Sequence, residues 1–249
     1  MRRFNRALLF LSSVIAAGGT STTQAQVSNF AAPVLKAEPR VSVRELRIPQ
    51  KARDEFERGL RRLAKRDPAG SLRHFDAAIR VFPDYYEVYY HEGIVALQLR
   101  NNDEALQCFQ KAIDLSGGSY ARAEFGYGLA LLSQGKAEEA QTVVRHGLEA
   151  DPNNVDGHVV LGFVLLKLNR REEAEKKARE VVDSNLVNSA KGYLVLSDVD
   201  GLTGNYEGQV RDLDAYLKLR PNDPNKTTLQ TVRDLAKRLA AKNRLTASK

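Results

Sequence analysis

The chain has 249 residues, of which 43% are hydrophobic and 28% charged, enough for a packed core and too apolar for a disordered polymer. Its net charge of +7 is unevenly spread: residues 36–66 carry 11 basic against 5 acidic groups, 67–224 carry 17 against 25, and 225–249 carry 7 against 1. The acidic central body argues against a nucleic-acid partner, and a single cysteine, Cys108, excludes an internal disulfide.

At the N-terminus, Arg2, Arg3 and Arg6 precede an apolar run from Ala7 to Ala17, and small and polar residues lead on to Thr23-Gln24-Ala25. That three-part layout predicts a secretory leader over 1–25 cleaved after Ala25. The apolar run is too short for a membrane span, which needs about 20 residues. A periplasmic or secreted mature protein is therefore expected. Residues 26–51 mix Ala, Pro, Ser and charges. Within them VSVRELRIP (41–49) alternates like a short strand, but a linker lying against the following unit suits a segment with no partner strand better.

From residue 52 a period emerges. Gly59, Gly93, Gly128, Gly162 and Ser197 stand 34, 35, 34 and 35 residues apart. Three further series keep the same step: Phe75, Phe109, Val144, Ala178 and Leu213; Ser71, Ala105, Ala140, Ala174 and Gln209; Pro83, Gly117, Pro152, Leu186 and Pro221. Such a period predicts stacked structural units. Each unit makes sense as two antiparallel helices. Small residues let the helices approach, a larger side chain fills the space between them, and a proline near the end stops the second helix. Asp67-Pro68, Asn101-Asn102, Gly135, Asn169 and Gly204-Asn205 fall at the turn inside each unit.

"FGYGLALLSQGKAEEAQTVVRHGLEADPNN" and "VVLGFVLLKLNRREEAEKKA" carry the Tyr-Gly or Leu-Gly step, the turn and the following alanine in the order that resembles the tetratricopeptide repeat. The units are drawn at 52–85, 86–119, 121–154, 155–188 and 190–223. The resemblance implies an all-α fold: a right-handed α-solenoid of antiparallel helix pairs, closed by a capping helix within the basic segment 224–249. Departures fall in the first, fourth and fifth units: Glu55 and Arg58 replace large apolar residues in the first, Leu186 replaces the proline in the fourth, and Ser197 with Gln209 occupy both small-residue sites in the fifth. Terminal units of a solenoid are commonly atypical.

In that family the first helix of each unit lines the concave side. The resemblance therefore assigns a peptide-binding groove to Phe56, Tyr90, Ile94, Arg122, Phe125, Leu129, Val159 and Phe163. Phe56/Leu60 and Tyr90/Ile94 stand where some members clamp a terminal carboxylate with Lys and Asn, so an amphipathic helix or an extended apolar segment is the expected ligand. Alternatively the groove is filled by its own side chains or covered by residues 27–51. The tyrosine-rich stretch PDYYEVYYHEG (83–93) divides at about 100° per residue: Tyr89, near the Gly93 contact, is expected in the core and Tyr90 in the groove, with Tyr85 and Tyr86 unassigned.

Nothing points to catalysis. Histidines 74, 91, 146 and 158 form no metal-binding spacing, Cys108 has no demonstrable base, and Gly117-Gly118 lacks the Lys-Ser/Thr of a phosphate loop. No cofactor and no metal are expected. In the C-terminal segment Leu229, Val232, Leu235, Ala236 and Leu239 recur at helical spacing, which suits a cap on the last unit. Its basic remainder could instead meet a membrane surface. Two functions compete: an exported protein-interaction scaffold, and an envelope subunit whose basic helix contacts anionic lipid or polysaccharide with the repeats as spacer.

Overall fold

The structure, a computed structural model, describes residues 47–184 and 186–247. The expected leader and the linker up to residue 46 lie outside these. Among the described residues eleven α-helices follow one another: α1 (Gln50–Ala64), α2 (Pro68–Val81), α3 (Tyr86–Gln98), α4 (Asn102–Ser116), α5 (Ala121–Ser133), α6 (Ala137–Ala150), α7 (Val155–Lys167), α8 (Arg171–Asp183), α9 (Gly192–Thr203), α10 (Tyr206–Leu219) and α11 (Lys226–Ala247). A short 3-10 turn, Ser189–Lys191, leads into α9. There is no strand among the described residues.

Local chemistry sets the ends of these helices. Asp67, Asn154 and Asn205 each accept a hydrogen bond from a backbone N–H three residues on, at 2.8, 3.1 and 3.1 Å, and so cap α2, α7 and α10. Inside each of the five units the turn passes through one left-handed residue: Arg66, Arg100, Gly135, Asn169 and Gly204, with φ between 59° and 80°. These five positions keep the step of the repeat, although only two of them are glycine. At the end of α4, Gly117 and Gly118 take φ of 62° and 74°, and the Gly118 N–H reaches back to the carbonyl of Ile113 at 3.0 Å. This left-handed stop does what a proline does at the ends of units one and three.

Helices pair in order, α1 with α2 through α9 with α10, and each second helix also packs on the first helix of the next unit. First helices α3, α5, α7 and α9 touch their counterparts as well, which places them on the inner side of a solenoid. Within each of the first three units the contact is a side chain of the second helix laid on bare backbone. A Cβ added at Gly93 would meet the Phe109 ring at 2.7 Å; one at Gly59 would meet Phe75, and one at Gly128 would meet Val144. Phe75, Phe109, Val144, Ala178 and Leu213 are 0–2% exposed, as are Ser71, Ala105, Ala140, Ala174 and Gln209. α11 covers α10 with Leu229, Val232 and Ala236, so the last unit does not end on an open apolar face.

The core has two parts. One cluster joins Ile48, Ala52, Phe75, Ala78 and Tyr85 to Val88 and Val95 of α3. The other runs from Tyr90, Ile94 and Leu97 of the same helix through to Leu229 of α11. Helix α3 is thus shared between a small core at the first unit and a long one beyond it.

This sharing revises the expectation for the tyrosines. Tyr85 is 5% exposed and belongs to the first cluster; Tyr90 is also 5% exposed and belongs to the second. Tyr89, expected in the core, is only partly buried, as is Tyr86. The Tyr90 ring packs 5.8 Å from Phe109 of α4 and edge-on to Tyr120, which leads into α5, at 5.4 Å, so it is held between its own unit and the next.

Two outcomes follow from this packing. Tyr90→Ala is expected to cost roughly 3 kcal/mol in a denaturant titration, and Tyr89→Ala clearly less. Gly93→Ala, which adds a methyl group against the Phe109 ring, is expected to cost about 1–3 kcal/mol, and the pair Gly93→Ala with Phe109→Leu to recover part of the loss.

Candidate recognition groove

Three rows of side chains run along the inner helices at the step of the repeat. The first is Arg53, Glu87, Arg122, Asp156 and Lys191, a row of alternating charge. The second is Phe56, Tyr90, Phe125, Val159 and Leu194; the third is Leu60, Ile94, Leu129, Phe163 and Asp198. Six of the eight residues assigned to the groove are almost fully buried: Ile94 at 0%, Phe125 and Phe163 at 1%, Val159 at 2%, Leu129 at 3% and Tyr90 at 5% exposure. Phe56 and Arg122 are half-buried. The inner face is therefore closely packed rather than an open apolar trough.

It opens at one small notch, with room for about one water molecule, lined by Tyr90, Arg122, Phe125, Gly126, Leu129 and Asp156. Four of the assigned residues meet there. The floor is aromatic and aliphatic, and the rim carries one cation and one anion. Asp156 is engaged: the Lys191 ammonium, only 1% exposed, donates to its carboxylate at 2.7 Å. Burial pulls the Lys191 pKa down, and Asp156 is what holds the charge in place against it. Burial likewise works against the Arg122 charge, but the Tyr120 and Tyr90 hydroxyls and Asp156 outweigh it and leave its pKa above the ordinary value. Further along the first row, the Arg53 guanidinium donates to the Ile48 carbonyl at 2.8 Å, tying the chain that enters the fold to α1.

Two polar groups stand near this face, His91 half-buried and Asp198 buried. His91 packs 5.3 Å from Phe56 and 5.1 Å from Tyr90, with burial driving its pKa down to about 3, so it acts as a neutral ring between the two core clusters. Asp198, 4% exposed, ends the third row in α9, and its Oδ2 has no hydrogen-bond partner. Burial raises its pKa well above the carboxylate range, only partly offset by Lys167. Among the described residues no group of three or more His, Cys, Asp or Glu side chains could hold a metal ion.

The alternating row is the feature that sequence reasoning passed over. The same resemblance that assigns the groove places Arg53, Glu87, Arg122, Asp156 and Lys191 on the groove side; the pairing of Asp156 with Lys191 emerges only from the structure. The signal is present in the sequence as a change of sign at every step of 34 or 35 residues.

Comparison with known proteins agrees with this geometry. A sequence model described as tetratricopeptide repeat matches residues 56–120, 92–155 and 125–185. Among curated proteins, DnaJ homolog subfamily C member 3 of Gallus gallus is 24% identical over 182 residues, 73% of this chain but 35% of that protein. The chain thus spans about a third of that relative. Among solved structures, a thermophilic tetratricopeptide repeat protein of Thermus thermophilus superposes with a TM-score of 0.66 at 17% identity, covering 74% of this chain and 98% of the other. PilW, described as a type IV pilus biogenesis factor, superposes at 0.60 with 14% identity, covering 78% and 92%. At these identities the structural likenesses speak for the fold alone. With matches spanning 56–185 and five helix pairs in a solenoid, the chain belongs to the tetratricopeptide repeat family.

Proposed function

We propose that the chain is a non-enzymatic scaffold that acts outside the cytoplasm and holds a peptide or helix of another protein along its inner helices. Members of this family generally bind protein or peptide partners, and the fold is that of an interaction scaffold. What supports the groove in particular is the notch, where Tyr90, Arg122, Phe125 and Leu129 converge on a closely packed inner face. The charge layout of the N-terminal 25 residues supports export. No described helix is long and apolar enough to cross a membrane.

A second reading has its own observation. On α11 the apolar side, Leu229, Ala236 and Ala240, is buried, while Lys226, Lys237, Arg238, Lys242 and Arg244 are exposed, a basic face suited to anionic lipid or polysaccharide.

One set of variants separates the two. A photo-cross-linking residue at Phe56, on the inner face, should capture a protein partner in native cells, and the same residue at the exposed Lys111 of α4 should not. Equal capture from both positions would sink the groove reading. Sedimentation with vesicles of anionic lipid then tests the other: binding that is lost when Lys237, Arg238 and Lys242 are replaced by Glu would favour the envelope subunit. Charge reversal is preferable to truncation here, since removing α11 uncovers Leu213 and Tyr216.

A further inference from the structure

We propose that Arg122 reads an acidic side chain, Asp or Glu, within the segment that the groove holds. This rests on the groove reading of the preceding section and specifies its ligand.

Arg122 is the cation of the notch. It forms no ion pair among the described residues; its neighbour in the next unit, Asp156, is already bound by Lys191. The main polar support of Arg122 is the Tyr120 phenol, to which Tyr90 and Asp156 add electrostatically. A guanidinium carries five N–H donors in a planar fork, so one phenol leaves most of them to solvent or to a ligand. Around it stand Tyr90, Phe125 and Leu129, all at 5% exposure or less. Beside such a wall the effective dielectric falls, and a charge-assisted hydrogen bond is worth more than on an open surface.

Size and position narrow the choice further. The notch has room for about one water-sized group, which suits a carboxylate oxygen and excludes a bulky group. Arg122 belongs to α5, the first helix of the third unit of five, so the inner face continues on both sides of it. A terminal carboxylate would end the ligand halfway along; a side-chain carboxylate lets it run through. The residue next to the acid should be large and apolar, because Phe125 and Leu129 floor the notch. Lys191 neutralises Asp156, so the anion on the rim does not repel the incoming one.

The experiment measures binding of the full-length chain to an array of short synthetic peptides of random sequence, each made with an amidated and with a free C-terminus. Bound peptides are expected to be enriched in Asp or Glu beside a large apolar residue. Changing that acid to its amide should weaken binding to the natural chain about tenfold, and Arg122→Gln should weaken the acidic peptide about tenfold while leaving the amide peptide unaffected. Arg122→Lys, which keeps the charge but loses the fork, should fall in between. Both variants are half-buried substitutions, and their melting temperatures serve as the folding control. Peptides that bind the groove without an acidic residue, or whose affinity is unchanged by Arg122→Gln in an otherwise folded chain, would overturn this inference and leave the groove reading standing. Binding restricted to peptides with a free C-terminus would overturn it too, in favour of terminal recognition. Failure of every peptide to bind would overturn both.

Discussion

The fold depends on how closely two helices can lie within a unit. At Gly59, Gly93 and Gly128 the first helix presents bare backbone, and a side chain of the second helix, Phe75, Phe109 or Val144, rests directly on it. That contact sets the spacing of the pair, and the spacing sets which residues can face the next pair. Where the large partner is missing, the arrangement shifts instead of failing. Ala178 is too small to reach Gly162, and a Cβ there would meet Val195 of the following unit at 3.0 Å. The fifth unit goes further: Ser197 and Gln209 occupy both small sites, fully buried, each with an oxygen that has no hydrogen-bond partner. A polar pair in that place costs stability that an alanine would not.

Tight pairing has a consequence for the inner face. First helices α5 and α7 are pressed by their own second helix, by the second helix of the preceding unit and by each other, which leaves little of their circumference free. Residues that would floor a groove therefore double as core. Tyr90 is the plainest case, packed against Phe109 and Tyr120 while also lining the notch. The groups left at the rim of the notch, Arg122 and Asp156, belong to the alternating charged row. The Asp156–Lys191 pair bridges the fourth and fifth units, so the row acts as a clasp between units as well as the polar edge of the site. Removing one partner of so buried a pair leaves the other charge stranded, which is costlier than losing the pair altogether.

Much of the fold was legible because a repeat converts one geometric contact into a series. Glycine, alanine and aromatic positions each recur for the same steric reason, and a fixed interval in the sequence is enough to find them. The site was less legible. An amphipathic stripe reveals which side of a helix is buried only when one side is, and α5 and α7 are apolar nearly all round. Tyr89 and Tyr90 exchange their expected places for that reason: the Gly93 contact identifies one buried direction on α3, but the neighbouring unit supplies a second. The left-handed turn residues tell a similar story. Gly135 and Gly204 announce themselves, whereas Arg66 and Arg100 adopt the same conformation with no compositional sign, held there by the helices on either side.

Helix α3 faces two cores at once, with Val88 and Val95 turned to the first unit and Tyr90, Ile94 and Leu97 to the rest. The stability of the first unit and the shape of the notch are in this way written on opposite sides of a single helix. A ligand seated against Tyr90 would draw on the order of α1 and α2 although it touches neither, and loosening the first unit would be felt as a loss of affinity. The four tyrosines from 85 to 90 form the seam between the outermost pair of helices and the core beyond it.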